Sequence, residues 1–145
     1  MFAKQSVFSW KKYRLSPGGL SDPTELIIDA DISGLGFINK QGAGDLMLSG
    51  NNSFEGVVNV NAGELRLTSS TALGTILSGT VVNNDASVSL QGSLQVIGEH
   101  LTLNSSGLTG LVSSPALQAS GPSNYWSGPV TFQSNSRIIG NHFPI

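Results

Sequence analysis

Several features common in other protein classes are absent or scarce in this chain of 145 residues. It contains no cysteine, which excludes a disulfide framework and a thiolate-ligated metal site. Charged residues make up 11% of the chain, well below the roughly 25% typical of soluble domains. The seven Lys and Arg are scattered and form no basic stripe. We therefore expect no nucleic-acid partner, because binding requires several phosphates to be neutralised.

Long apolar runs are also missing. The N-terminal residues hold scattered aromatics and four of the cations, but not the apolar run of about 7 to 15 residues that marks a signal peptide. Every apolar run is far shorter than the roughly 20 residues that a transmembrane helix needs. The sequence thus contains neither an export signal of the usual kind nor a helical membrane span.

The abundant feature is a set of apolar pairs, in which two apolar residues are separated by one residue, polar in every pair except the first. Such a pair places both side chains on one face of a short strand, because successive side chains of a strand point to opposite faces. Gly50, Gly56 and Gly63 separate the first pairs, and we expect them at turns with positive φ. No window carries a sustained 3.6-residue period, so the chain is predicted to be all-β. The pairs are Leu46/Leu48, Val58/Val60, Leu65/Leu67, Val88/Leu90, Leu94/Val96, Leu101/Leu103 and Val130/Phe132.

An internal repeat relates residues 52–60 to residues 124–132, at an offset of 72 residues (124 − 52). At about 20 to 25 residues a coil, this offset corresponds to about three coils of a solenoid and the whole chain to about five or six. The matched positions are Asn52 with Asn124, Phe54 with Trp126, Gly56 with Gly128, Val58 with Val130 and Val60 with Phe132.

The short apolar pairs and the repeat favour a parallel β-helix, whose narrow interior takes few side chains from each coil. An antiparallel β-sandwich is the alternative, since it also uses many short strands. Residues 1–25 are predicted to form an irregular leader or N-terminal cap that includes Trp10 and Tyr13. Residues 26–145 are predicted to form the β-helix, with a first strand whose buried face runs from Leu26 to Ile32 and with repeat copies near 42–67 and 117–138.

The segment from Gly42 to Leu67 resembles the autotransporter-associated β-strand repeat, also called the passenger-associated transport repeat. Ser53 and Phe54 conservatively replace its Thr-Tyr, and Val57-Val58 replaces its Gly-Thr. Asn124 to Gly128 looks like a diverged second copy. The positions that hold the repeat pattern are Gly42, Gly44, Leu46, Leu48, Ser49, Gly50, Asn52, Gly56, Val60, Gly63, Leu65 and Leu67.

The resemblance implies a right-handed parallel β-helix in the surface-exposed passenger of an exported bacterial protein. It implies a structural role in display, export or folding, with no catalytic residue, cofactor or metal. The expected partners are neighbouring β-helix coils and a membrane translocator barrel outside this chain. Because an export signal and that translocator are missing, we expect either a fragment of a longer protein or another export route.

Few residues suggest chemistry. Asp29 and Asp31 form a carboxylate pair on one strand face, as in β-helix lyases that bind calcium or a sugar acid, but two carboxylates provide too few ligands. A polysaccharide lyase or hydrolase is therefore the least favoured function. The turn that ends in Asp45 faintly resembles a calcium-binding β-roll turn without its tandem copies. His100 and His142 have no spaced metal-binding partners and are interpreted as surface residues.

Aromatic residues suggest an alternative function. Phe54 and Trp126 are interpreted as buried corner packing, whereas Tyr125 has the opposite parity and can face solvent. Together with Asn124, Tyr125 defines a candidate ligand face for a glycan or host-surface molecule. The alternative function is thus a carbohydrate-binding or adhesive module. Open β-helix ends also favour self-association.

Overall fold

The computed structural model describes residues 5–9, 14–15, 21–22, 25–108 and 114–141, which hold short strands and no helix. The prediction of an irregular leader over residues 1–25 falls largely outside this part, as do Trp10 and Tyr13, and it stays a prediction. The strands are β1 (Gln5–Ser9), β2 (Arg14–Leu15), β3 (Ser21–Asp22), β4 (Glu25–Ile28), β5 (Phe37–Gln41), β6 (Asp45–Leu48), β7 (Val58–Val60), β8 (Glu64–Leu67), β9 (Thr80–Asn84), β10 (Ser87–Gln91), β11 (Gln95–Val96), β12 (Leu101–Ser105), β13 (Leu117–Ser120), β14 (Tyr125–Trp126), β15 (Val130–Phe132) and β16 (Ile138–Asn141).

Two long parallel sheets dominate the fold. The first sheet has the strand order β1-β5-β7-β9-β12-β15, and the second has the order β4-β6-β8-β10-β13-β16. Strands β11 and β14 form a short parallel pair, whereas β2 and β3 pair antiparallel. No two neighbours in either long sheet are consecutive in the sequence, because at least one strand outside that sheet lies between them, so the chain returns to the same sheet once in every turn. The antiparallel β-sandwich alternative is therefore wrong, and the predicted β-solenoid is confirmed.

Five coils, numbered 1 to 5, begin at the first-sheet strands β5, β7, β9, β12 and β15, at residues 37, 58, 80, 101 and 130, and strands β1 and β4 belong to a turn that precedes coil 1. In each of coils 1 to 4, a first-sheet strand is followed by a second-sheet strand and then by a segment of the third face, which we define as residues 49–57, 68–79, 92–100 and 121–129. Coil 4 is the longest, because an excursion between β12 and β13 includes the antiparallel bridge of Leu108 and Ser114. The coil number agrees with the predicted five to six, while the predicted right-handedness stays a prediction.

The core is made of the predicted apolar pairs, stacked in columns along the solenoid. Leu46 pairs in register with Leu65, and Leu65 pairs with Val88 in the next coil. All three side chains are fully buried. At about 1.5–3 kcal/mol for each fully buried aliphatic side chain, these columns stabilise the solenoid although each strand is short.

The apolar residues at the two ends of the described stack differ from the prediction. The predicted buried face from Leu26 to Ile32 is only partly present: Ile28 and Ile32 pack against the core, whereas strand β4 already ends at Ile28 and Leu26 is 37% exposed. At the other end, Phe132 of β15 is 55% exposed. Among the described residues, β4 is the terminal strand at one end of the second sheet, and β15 is the terminal strand at the opposite end of the first sheet. Each strand therefore has a neighbouring strand on one side only, and its apolar residues are not covered on the other side.

Candidate functional site

The residues that the repeat pattern shares hold successive coils together. Asn52 lies on the third face and is 6% exposed. Its Oδ1 accepts a hydrogen bond from the Ile32 backbone N–H at 2.8 Å, and its Nδ2 donates to the Ala72 carbonyl at 2.6 Å. The two partners lie 20 residues before and after Asn52. This one side chain therefore satisfies backbone groups of both neighbouring turns, which would otherwise be buried without partners.

Asn124 makes the same contact to the preceding coil in the second repeat copy. Its Oδ1 accepts from the Leu94 backbone N–H at 3.1 Å, while its Nδ2 donates to the Ser120 carbonyl at 3.2 Å. The first-sheet strands that follow the two asparagines are β7 and β15, and they are separated by three steps of that sheet, as the offset of 72 residues predicts.

Glycines of the repeat allow close approach between coils. A Cβ on Gly56 would collide with the carbonyl oxygen of Gly36, and a Cβ on Gly128 would collide with that of Glu99. Gly50 is crowded in the same way by the carbonyl of the preceding turn. Of the three glycines predicted to need positive φ, only Gly63 adopts it, at +68°. The prediction is wrong for Gly50 and Gly56, whose requirement is steric space.

Phe54 and Trp126 occupy corresponding positions but different environments. Phe54 is 2% exposed, as expected for corner packing. Trp126 is only half-buried, and its indole Nε1 donates a hydrogen bond to the Glu99 carbonyl at 2.9 Å. The larger indole thus combines apolar packing with a polar contact to the preceding coil.

A lysine lies inside the solenoid. Lys40 points inward from β5 and is fully buried. Its Nζ donates hydrogen bonds to the carbonyls of Gly42 at 2.8 Å and Ala62 at 2.7 Å. The ammonium therefore links the turn after β5 to the corresponding turn of the next coil. Sequence reasoning missed this residue, although its spacing of two from Ile38 places it on the inward face.

The only ion pairs among the described residues lie on the outer face of the second sheet, around Arg66. Its guanidinium contacts Asp45 at 2.9 Å and Glu25 at 3.1 Å, which belong to the two preceding turns. Burial raises the pKa of the Asp45 carboxyl above its ordinary value, although the Arg66 charge partly offsets that increase. These contacts align three turns.

The outer face of the first sheet carries amides in register. Asn59 Nδ2 donates to Asn39 Oδ1 at 3.0 Å, and Asn83 Nδ2 donates to Asn61 Oδ1 at 3.1 Å. Each bond joins side chains of adjacent coils and runs in the same direction. The amides therefore add side-chain hydrogen bonds to the backbone pairing of the sheet.

A pocket with a volume of about 200 Å³ opens on the third face between coils 2 and 3. Glu99 lines it, is 3% exposed and accepts a hydrogen bond at Oε1 from the Thr80 hydroxyl at 2.7 Å. Burial raises the pKa of the Glu99 carboxyl, whereas the Thr80 hydrogen bond acts in the opposite direction. Sequence reasoning missed Glu99, because nothing in the local pattern distinguishes it from a surface residue before His100.

The residues predicted as candidate sites are dispersed in the structure. Asp29 and Asp31 follow β4 and are exposed, and Asp31 Oδ1 accepts from the Asn51 backbone N–H at 2.7 Å. The expectation that both lie on one strand face is wrong, because the strand ends first. His100 is exposed and contacts the Thr131 hydroxyl at 3.0 Å. His142 lies outside the described residues.

Of the two residues of the candidate ligand face, Tyr125 is exposed and Asn124 is half-buried. Tyr125 is 55% exposed and lies beside Gln95 in the short β11–β14 pair. Asn124 uses its amide in the contacts to Leu94 and Ser120 described above. In the part of the chain that the structure describes, no group of three or more His, Cys, Asp or Glu side chains is arranged to hold a metal ion.

These contacts define a β-solenoid in which the repeat residues hold each coil against its neighbours. The family described as Passenger-associated-transport-repeat matches residues 38–67. This segment therefore matches the autotransporter passenger repeat, which confirms the resemblance read from Gly42 to Leu67. The repeat and the solenoid together fit a segment of an autotransporter passenger.

Comparison with curated proteins and with solved structures found no match to this chain. Among the described residues, no helix has the length and apolar character needed to cross a membrane.

Proposed function

We propose that this chain is a structural, non-catalytic display segment of an exported bacterial surface protein, and that its coils aid export or folding of the passenger. One observation carries the proposal: the side chains that define the repeat are committed to contacts between coils. Asn52 bonds to both neighbouring turns, and Gly56 is packed against the preceding turn. Little of the repeat is left to recognise a substrate.

The stacking geometry suggests how such a segment assists export. Each coil contacts mainly its neighbours, so folding can propagate one coil at a time from an already folded end. A coil that emerges from a translocator finds a strand edge and an apolar column on which to fold. Folding outside the membrane then opposes backward movement of the chain. The partners in this proposal are adjacent coils and a translocator outside this chain, at the bacterial cell surface.

A surface-display assay tests this proposal. The chain is placed in the passenger of a bacterial autotransporter, and external protease measures how much reaches the surface. Leu48→Asp places a charge in the fully buried column, whereas Leu77→Asp alters a side chain that is 71% exposed. We expect Leu48→Asp to reduce display several-fold and Leu77→Asp to match the unmodified chain. Equal display of both variants would contradict a role for coil folding in export.

A carbohydrate-binding or adhesive role is the second candidate, favoured by the exposed ring of Tyr125. A phenol ring can stack on a sugar ring and hydrogen-bond to its hydroxyls. Screening the chain on a glycan array tests this role. Binding that is lost in Tyr125→Ala but retained in Tyr125→Phe supports stacking, whereas the absence of any bound glycan rules against it.

A further inference from the structure

The pocket between coils 2 and 3 has apolar walls and a polar interior. It exists because residues 68–79 depart from a flat strand: they contain two turns, at residues 70–73 and 76–78. Leu73 and Val96 are buried in its walls, while Ile76 and Ile97 are 61% and 57% exposed at its opening. A volume of about 200 Å³ suits a small ligand, since pockets for drug-sized molecules are about 300–1,000 Å³.

Glu99 is the one ionisable residue among those that line this pocket. Among the described residues, Thr80 is the one side chain that hydrogen-bonds to its carboxyl group, and no cationic side chain forms a salt bridge with it. The Thr75 Oγ1 atom, in another pocket-lining residue, is buried without a hydrogen-bond partner in the described part of the chain. Buried charges in proteins are normally paired with an opposite charge. A cationic ligand would supply that charge.

The surroundings of Glu99 discriminate between kinds of cation. Calcium takes about six to eight oxygen ligands, but the pocket offers a single carboxylate and no cluster of acidic or histidine ligands is found in the described residues. The walls formed by Leu73, Ile76 and Val96 are apolar instead. Apolar walls around one carboxylate match a compact ammonium group on an aliphatic stem, which can bury its methylenes and ion-pair at its end.

We propose that this pocket binds a primary ammonium carried on a short aliphatic stem, with Glu99 as its counter-ion. The stem lies against the apolar walls, and the ammonium donates hydrogen bonds to the Glu99 carboxylate and to the Thr75 hydroxyl oxygen. The same chemistry occurs in a lysine side chain of a partner protein and in a free aliphatic diamine. This inference is independent of the export role proposed above.

Titration of the full ¹⁵N-labelled chain with n-butylammonium chloride at pH 7, followed by NMR, tests the proposal. We expect saturable shifts confined to residues 70–76 and 95–99, and at least tenfold weaker binding of the neutral analogue n-butanol. Glu99→Gln keeps an oxygen that accepts from Thr80 but removes the charge, so its affinity for n-butylammonium should fall at least tenfold. Glu55→Gln removes one charge from an exposed position and should bind as the unmodified chain does.

Three results would overturn the proposal: no saturable binding of n-butylammonium, equal affinity in Glu99→Gln, or shifts that map away from the pocket. The mapping uses the unmodified chain, so it decides the matter even if a variant fails to fold. Parallel titrations with pentane-1,5-diamine and with Nα-acetyl-lysine amide then separate the two sources. Tighter binding of the first indicates a free diamine, and tighter binding of the second indicates a lysine side chain.

Discussion

Replacing Asn52 by alanine tests whether the repeat asparagine holds the coils together. The substitution removes two hydrogen bonds, from the Ile32 N–H and to the Ala72 carbonyl. A buried backbone group left without a partner costs about 1–3 kcal/mol, and two such groups are affected. We therefore expect the free energy of unfolding to fall by about 2–6 kcal/mol. Urea denaturation followed by circular dichroism measures this change.

Asn51 provides a matched control, because it is the adjacent asparagine and is exposed. Its Oδ1 accepts only long hydrogen bonds, from Ser69 at 3.5 Å and Thr71 at 3.3 Å. Asn51→Ala should therefore change stability by no more than about 0.5 kcal/mol, as expected for a surface substitution. If Asn52→Ala were as stable as Asn51→Ala, the bridging role of the repeat asparagine would be refuted.

Three further predictions concern pH, packing and association. The pKa of Glu99 in the folded chain is raised above its ordinary value of 4.5, so its contribution to stability is full below pH 4.5 and is lost as pH rises through the folded pKa. Urea titrations should therefore show the unmodified chain losing stability relative to Glu99→Gln as pH rises over this range. A stability difference that stays constant with pH would contradict the assignment. Gly56→Ala forces a Cβ against the preceding coil, at a cost of about 1–3 kcal/mol, and should lower the midpoint of thermal unfolding. Gly140→Ala places its Cβ in open space and should leave the midpoint unchanged. Equal midpoints for the two variants would contradict the close approach at Gly56. The exposed strand edge at Phe132 should drive self-association, which analytical ultracentrifugation measures. Phe132→Lys should abolish the self-association, whereas Leu77→Lys, away from that edge, should leave it unchanged. A monomeric unmodified chain would refute this prediction.

The sequence predicted the buried residues of the coils well, because the two-residue alternation of side chains is set within each strand. Leu46 and Leu48 are two residues apart, so they had to share a face, and both are buried. The exposure of Leu26 and Phe132 was not predictable from the same pattern. It depends on whether another coil lies above or below, which the alternation within one strand does not reveal.

The polar interior was hidden from sequence reasoning for a related reason. Lys40 is buried, and one of the carbonyls that accept a hydrogen bond from its Nζ, that of Ala62, lies 22 residues away in the next coil. The pocket at Glu99 arises from the turns in residues 68–79, a departure of one coil from the regular path. Both features depend on contacts between coils, and such contacts are set by the stacking register.

Disulfide cross-linking tests most directly the central claim that each coil lies in register on the coil before it. The chain has no cysteine, so introduced pairs can be read without interference. Asn39 and Asn59 are register partners in β5 and β7, and neighbouring strands lie about 4.8 Å apart, within the Cα separation that a disulfide spans. Thr102 lies three coils from Asn39 in the first sheet, at about 14 Å by the same spacing. We predict that Asn39→Cys with Asn59→Cys forms an intramolecular disulfide under mild oxidation and that Asn39→Cys with Thr102→Cys does not. The reverse result would contradict the parallel stacked solenoid.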